Sequence, residues 1–304
     1  MEQNTIRWKV IGRRIGKISW AILRFFLLFG LGYTLISPFI SIFSGAFRAE
    51  QDIWDPTVVW ITRHYTSEHL KSVIEMMDYW TTLGRTALIA VGSATLQMIS
   101  CALAGYGFAR YNFKGKALFF GIVILTIMVP PQVLMMPMYS TYRNLGLLDS
   151  VASFWVTALF GMGLRSGLFI FIYRQVFRAL PSDLEDAASI DGCGHIGTYF
   201  RIMLPNAVTS MATVFLFSFI WHSTDYFTTS IMLPTKHTLM VSLSGLSSKL
   251  ASLTGGTGQT TVTPLVMQSR LQAGSLLVVL PLIIVFVLCQ RYFRAGIERT
   301  GLVG

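Results

Sequence analysis

Arg165, His222 and Asp225 fall inside stretches that are otherwise apolar, as does Arg24, whose place near the start of its stretch suits snorkelling to the headgroups. A charge in hydrocarbon is costly, so such a residue usually faces a bundle interior or an aqueous cavity. Trp221, His222, Asp225 and Tyr226 lie close together and make an aromatic-polar cluster. Imidazole and carboxylate exchange hydrogen bonds with hydroxyls, and aromatic faces stack on ring C–H groups, so the cluster suits a polyhydroxylated solute. The blander readings are an interfacial aromatic belt for Trp221 and Tyr226, and snorkelling or bundle pairing for Arg165. Catalytic chemistry has little support. The sequence shows no paired carboxylates, Ser/His/Asp set or metal cluster at one membrane face. Cys101, Cys193 and Cys289 are far apart, lack metal-ligand spacing and read as small apolar fillers. No Gly-x-x-x-x-Gly-Lys-Ser/Thr phosphate loop occurs, so neither nucleotide nor metal is expected on this chain.

A second constellation lies in residues 174–206. Pro181 stops the preceding apolar run, and Ser182 followed by Glu185 has the spacing of a capping box. Asp183, Glu185 and Asp186 suit the positive end of a helix dipole. Leu184, Ala187, Ala188 and Asp191 share one helical face, and Gly192 and Gly194 end the helix. A second short helix is predicted from His195 to Met203, closed by Leu204 and Pro205. An alanine face lets a backbone approach a partner closely, and the acidic first turn offers charge-assisted hydrogen bonds to basic groups. An interfacial helix lying on a membrane is the alternative.

Both constellations need a bilayer to position them. The 304 residues are 53% hydrophobic and only 12% charged, against about 25% charged in ordinary soluble domains. Six apolar segments are long enough to cross a core of about 30 Å, near 19–43, 85–108, 117–139, 151–173, 207–229 and 271–290. The predicted fold is therefore an all-α membrane protein with a cytoplasmic N-terminal segment, 1–18, and one transmembrane domain, 19–304. The long basic start and an apolar run through Phe43, with no small-residue cleavage site, argue against a signal peptide. Lysine and arginine set the orientation. Arg7, Lys9, Arg13, Arg14 and Lys17, then Arg110, Lys114 and Lys116, then Arg291, Arg294 and Arg299 fall on one side if there are six spans. Segment 44–84 on the other side is acidic, with Glu50, Asp52, Asp55, Glu68, Glu75 and Asp78 outnumbering its bases. Both termini and loop 174–206 are thus predicted to be cytoplasmic. The net charge of +10 follows these flanks rather than one solvated face, which speaks against nucleic acid. Pro130, Pro131 and Pro137 in the third span predict a kink, either packed or beside a path. Gly105 and Gly107 are candidates for close helix packing.

The loop resembles the one shared by permease subunits of ABC importers: Glu-Ala-Ala, three residues, Gly, nine residues, Ile, one residue, Leu-Pro. Here the match is Asp186-Ala187-Ala188, Gly192, Ile202 and Leu204-Pro205, with every gap kept and Asp186 in place of glutamate. Tyr173-Arg174-Gln175, Leu180-Pro181, Ala187 to Gly192, the Trp221–Tyr226 stretch and Gln290-Arg291-Tyr292-Phe293 are similar to the carbohydrate-uptake branch, and to its six-span maltose-type subunit. The resemblance covers roughly residues 15–304, loosely in the first 80 and specifically from about 165 to 227.

The resemblance implies a second homologous permease subunit, two cytoplasmic ABC ATPase subunits that carry ATP and Mg, and an extracytoplasmic solute-binding protein. It makes residues 182–192 a coupling helix between spans 4 and 5, with Ser182, Glu185, Asp186, Ala187, Ala188, Gly192, Ile202, Leu204 and Pro205 as its ATPase-coupling residues. Glu185 is a candidate to replace the shortened Asp186 side chain in docking. Arg165, Trp221, His222, Asp225 and Tyr226 are the candidate path for a sugar or oligosaccharide. The acid-free outer loop 230–270, with Lys236, Lys249 and Arg270, is expected to be flexible and to meet the binding protein, or to be a passive connector. An ABC permease for a non-sugar solute is the nearer alternative. A secondary transporter is the more distant one, and its inverted repeats are not seen.

Overall fold

The computed structural model describes residues 2–58, 60–254 and 263–301, and side chains within 16–58, 60–252 and 263–290. The described residues are helical and contain no strand, only an isolated bridge between Arg48 and Tyr65. Helix α1 is Glu2–Ala46, followed by the short α2, Glu50–Ile53, and α3, Glu68–Met76. Next come α4, Tyr79–Arg110, α5, Lys116–Met128, α6, Pro131–Asn144, α7, Ala152–Leu159, and α8, Ser166–Ala179. The loop constellation holds α9, Asp183–Ile190, α10, His195–Thr198, a π-helical turn at Tyr199–Met203, and α11, Leu204–Asn206. The chain continues with α12, Val208–Thr224, α13, Phe227–Met232, α14, Leu239–Thr254, and α15, Pro264–Gly301.

Helix α4 is the central post and packs against α7, α8 and α12, while α1 packs on α15. Small residues permit this: Ala90, Ala94 and Ala102 of α4 are fully buried. A Cβ at Gly105 would come within 2.5 Å of the Tyr173 Cβ and 3.0 Å of the Arg174 nitrogen, so α4 and α8 touch backbone to backbone there. Gly107, one turn-face away, meets nothing within 4 Å and plays no such part. Between α1 and α4, a cap is built on Asp52. Its carboxylate accepts the backbone N–H groups of Arg63 and His64 at 2.6 and 2.7 Å and pairs with His64 Nδ1 at 2.8 Å.

Among the described residues, three helices are long and apolar enough to cross a membrane, Gly16–Ala46, Tyr79–Arg110 and Pro264–Gln290, and two bent pairs raise this to five. Three of the six expected segments are broken or shortened, the third at the kink that its prolines predict. The third, 117–139, is two helices, α5 and α6, bent by 104° at Val129 and Pro130. Pro130 and Pro131 remove two amide donors in succession, and Pro130 holds the extended conformation that ends α5. The fourth, 151–173, is interrupted between Leu159 and Ser166, where Gly161 and Arg165 take positive φ of 64° and 57°. The fifth ends at Thr224, short of 229, and meets the preceding loop helices at 77°.

The outer loop also departs from expectation. Residues 239–254 form α14, with Leu239, Leu246 and Leu250 buried against α15. Serine and glycine content concealed a leucine stripe at helical spacing. Lys236 Nζ donates to the Asp149 carbonyl at 2.7 Å, and Lys249 Nζ to the Met76 carbonyl at 2.8 Å. Residues 255–262 of that loop lie outside the described residues. So do the side chains of Arg7, Lys9, Arg13, Arg14, Arg291, Arg294 and Arg299, on which the orientation expectation leans.

Candidate functional sites: a docking loop and a mid-depth polar cluster

The loop helix α9 forms where the sequence placed it, but its start is built differently. Ser182 makes no capping bond to the helix backbone, and its hydroxyl lies 3.5 Å from Asp183 Oδ1. The capping box is therefore absent, because Glu185 is engaged elsewhere. Its Oε1 accepts the Tyr106 hydroxyl at 2.8 Å, and its Oε2 lies 3.3 Å from Arg110 Nε. Arg110 also donates to the Leu180 carbonyl at 2.7 Å, so the last turn of α4 holds both ends of the span-to-loop connection. Glu185 thus faces its own chain and is not placed to stand in for Asp186.

The end of α9 follows expectation. Asp191 caps the helix, Gly192 takes φ 74°, and Cys193 N–H reaches the Ala188 carbonyl at 2.8 Å while Gly192 N–H reaches Ser189 at 3.1 Å. This is a Schellman closure, which requires a left-handed residue at that position. Ala188 is buried and Leu184 half-buried, whereas Asp186, Ala187, Ser189 and Ile190 are exposed. The predicted common face is split: Leu184 and Ala188 pack inward, and Ala187 and Asp191 look out. Met203 is buried, Ile202 and Leu204 pack on the Tyr173–Phe177 core, and Pro205 is exposed. Tyr106, Phe177 and Tyr199 form an aromatic joint under the loop, with Tyr106 centroids 5.4 and 5.0 Å from the other two. Tyr106 was not singled out in the sequence, because an aromatic at a span end reads as an interface anchor.

The polar cluster is drawn together by the helix breaks. Arg165 precedes α8 rather than lying within a continuous span, and its guanidinium carbon sits 4.7 Å from the centre of the Trp221 ring. Trp221 stacks on Phe169 at 5.4 Å and Phe217 at 5.7 Å. Asp225 lies past the end of α12, with its Oδ1 accepting the Thr228 N–H at 3.1 Å and its carbonyl accepting the Thr229 hydroxyl, which anchors the start of α13. His222 is 4% exposed, and neither ring nitrogen has a partner among the described residues. Tyr226 is exposed and meets Phe227 edge-on. The cluster is thus brought together as Arg165 with Trp221, while Asp225 caps a separate short helix.

The depth of the pair follows from Gln97 on α4, a fully buried amide that the sequence reading passed over. It bonds to the Leu164 carbonyl at 2.8 Å and the Ser166 hydroxyl at 2.6 Å, and accepts from Ser218 at 2.6 Å. Gln97 lies roughly 27 Å along α4 from Tyr79 and roughly 20 Å from Arg110. Arg165 therefore lies level with the middle of α4 while exposed on this chain, and in a bilayer a cation at such a place needs water or protein rather than lipid. An apolar groove of about 450 Å³ lies elsewhere, between α1, the Asp52 cap and α15, lined by Phe43, Trp60 and Tyr65 among others. No group of three metal-ligating side chains occurs among the described residues.

Apolar helices, broken crossings and buried interhelical polar bonds define a multi-pass α-helical membrane protein. The chain belongs to the binding-protein-dependent transport system inner membrane component family, whose sequence profile matches residues 98–299. It is similar to the arabinooligosaccharides transport system permease protein AraQ of Halalkalibacterium halodurans, 26% identical over 94% of this chain and 97% of that one. The diacetylchitobiose uptake system permease protein DasC of Streptomyces coelicolor is 25% identical over 89% and 92%. The sn-glycerol-3-phosphate transport system permease protein UgpE of Yersinia enterocolitica is 30% identical over 69% and 68%. Among solved structures, a bacterial ABC transporter involved in the import of the acidic polysaccharide alginate shares the fold with a TM-score of 0.75. That match is 21% identical and covers 90% of this chain and 96% of the other.

Proposed function

We propose that this chain is one of two permease subunits of an ATP-driven importer of sugars or oligosaccharides, and that residues 182–192 dock on a cytoplasmic ATPase. The carrying observation is the loop: an eight-residue helix exposing Asp186, Ala187 and Ile190, closed at Gly192, and tied through Glu185 to Arg110 of the central helix. Such a link transmits a push on α9 to α4, on which α7, α8 and α12 all pack. In this reading the chain crosses the membrane six times, with the interrupted third and fourth crossings each counted once, and both termini are cytoplasmic. A homologous permease completes the path, two ATPases bind ATP and Mg, and an outer binding protein delivers the solute. ATP, Mg and other cofactors are held by partners rather than by this chain.

Arg165 and Trp221 form one wall of the path at mid-depth, and His222, Asp225 and Tyr226 lead from it toward the outer face. The guanidinium and indole suit a sugar, because one donates hydrogen bonds to hydroxyls and the other stacks on a ring face. The arabinooligosaccharide and diacetylchitobiose relatives support that class. A phosphorylated polyol is the second reading, favoured by the glycerol-3-phosphate relative and by a cation at the proposed wall. The test is ATP hydrolysis and uptake by the complex in proteoliposomes with loaded binding protein. Stimulation by a neutral oligosaccharide supports the first reading, stimulation only by a phosphorylated polyol supports the second, and solute flux without ATPase subunits rejects both.

A further inference from the structure

Arg165 and Trp221 sit on different segments, 4.7 Å apart, and the stacking of Trp221 on Phe169 of α8 at 5.4 Å leaves the break that carries Arg165 to be held from elsewhere. Gln97 does so from a third. Its Nε2 holds the Leu164 carbonyl and the Ser166 hydroxyl, the two residues flanking Arg165, and its Oε1 holds Ser218, one turn before Trp221. Gly163 passes so close that a Cβ there would lie 3.1 Å from Gln97 Nε2, so the amide and the break are fitted to each other. Arg165 itself occupies the left-handed region at φ 57°, disfavoured for a residue with a side chain, and the clamp on both neighbours keeps it there. Ser100 adds a bond to the Ala158 carbonyl at 2.7 Å just before the break. In an apolar surround an amide that donates to two acceptors and accepts from one donor has no equivalent alternative partners, so the geometry is specified rather than merely allowed.

We propose that Gln97 is a positioning residue for the solute route, setting the Arg165–Trp221 spacing through its hydrogen bonds to Leu164, Ser166 and Ser218. The assignment rests on the reading of Arg165 and Trp221 as a wall of that route. Leucine at 97 keeps much of the volume and deletes all three bonds. Ser218→Ala deletes only the bond to α12 and leaves Arg165 clamped.

The test uses the assembled importer in nanodiscs and proteoliposomes. The environment of Trp221 is read as the fluorescence difference between each protein and its Trp221→Phe version. Gln97→Leu and Ser218→Ala are each expected to shift that emission and keep wild-type ATPase stoichiometry. Each is also expected to raise the half-saturating solute concentration by about tenfold, the factor one desolvated contact of this type supplies. Adding Gln97→Leu to Arg165→Ala is expected to change uptake by less than about twofold, because both act on one wall. Unchanged Trp221 emission in both variants, or multiplicative losses in the Arg165→Ala background, would overturn the assignment. If Arg165→Ala leaves uptake intact while the emission still shifts, the route reading falls and the clamp stands. If Gln97→Leu does not assemble, Ser218→Ala, which keeps two of the three bonds, carries the same readouts.

Discussion

Glu185 of α9 lies 3.3 Å from the Arg110 guanidinium and accepts the Tyr106 hydroxyl at 2.8 Å, so a loop carboxylate is held by the last turn of the central helix. Both partners of the ion pair are only partly exposed, which favours a defined geometry over a loose surface pair, though its net contribution to stability remains about 1 kcal/mol. The expected consequence is mechanical. Arg110→Gln and Glu185→Gln should leave ATPase association intact while the solute moved per ATP hydrolysed falls by about threefold. The double variant should fall no further, as members of one pair are not additive. Parallel measurement of uptake and phosphate release checks this.

Gly192 is needed for its backbone, not for space. A Cβ there would meet nothing within 4 Å, yet φ is 74°. Gly192→Ala should cost about 1 kcal/mol locally and Gly192→Asn less, since asparagine tolerates the left-handed region. Gly192→Asp adds a charge beside the proposed docking face and is expected to abolish uptake and weaken ATPase co-purification. Full co-purification with full uptake would remove the docking role.

Asp225 offers a separation of charge from structure. Its side chain caps α13 through Thr228 N–H, a role asparagine can keep. Asp225→Asn should preserve assembly and impair sugar passage, and Asp225→Ala should impair passage and also loosen 227–232. Uptake kinetics with hydrogen exchange over that segment distinguish the two effects.

The Asp52 cap carries a pH dependence. Burial holds His69 below its ordinary 6.5, against the raising effect of its bond to the Arg48 carbonyl, and Arg270 nearby pushes the same way as burial while Glu68 and Glu50 oppose it. The unfolded cap then binds protons more readily than the folded one. Stability is present above about pH 6.5 and is lost as pH falls. Asp52, held below the usual carboxylate range first by the His64 backbone N–H, changes in the same sense at far lower pH. Protection of the amides over 47–76, corrected for the intrinsic pH dependence of exchange, is expected to fall from pH 7.5 to 5.5, and His69→Gln should flatten that fall.

Much of this architecture was legible in the sequence, for physical reasons that can be named. Apolar length marked the crossings, and strict gaps from Asp186 to Pro205 marked the loop. Continuity was not legible: Gly161 and Arg165 break the fourth segment through positive φ, which hydropathy does not register. Nor were the partners of single polar groups. Ser182 and Glu185 have capping spacing, yet Arg110, distant in sequence, takes the carboxylate. Gln97 drew no attention because an uncharged amide barely lowers apolarity, although it is the group that joins three segments. The leucines of α14 were hidden by the serines between them.

The central claim is that the exposed face of α9 meets an ATPase, and photo-crosslinking tests it most directly. A benzophenone side chain at Ala187 or Ser189 in the assembled importer is expected to give adducts with the ATPase subunit that change in yield on ATP binding. The same probe at Trp20, exposed on α1, should give none. Adducts from Ala187 only to the binding protein or to lipid, in complexes that retain their ATPases, would contradict the account.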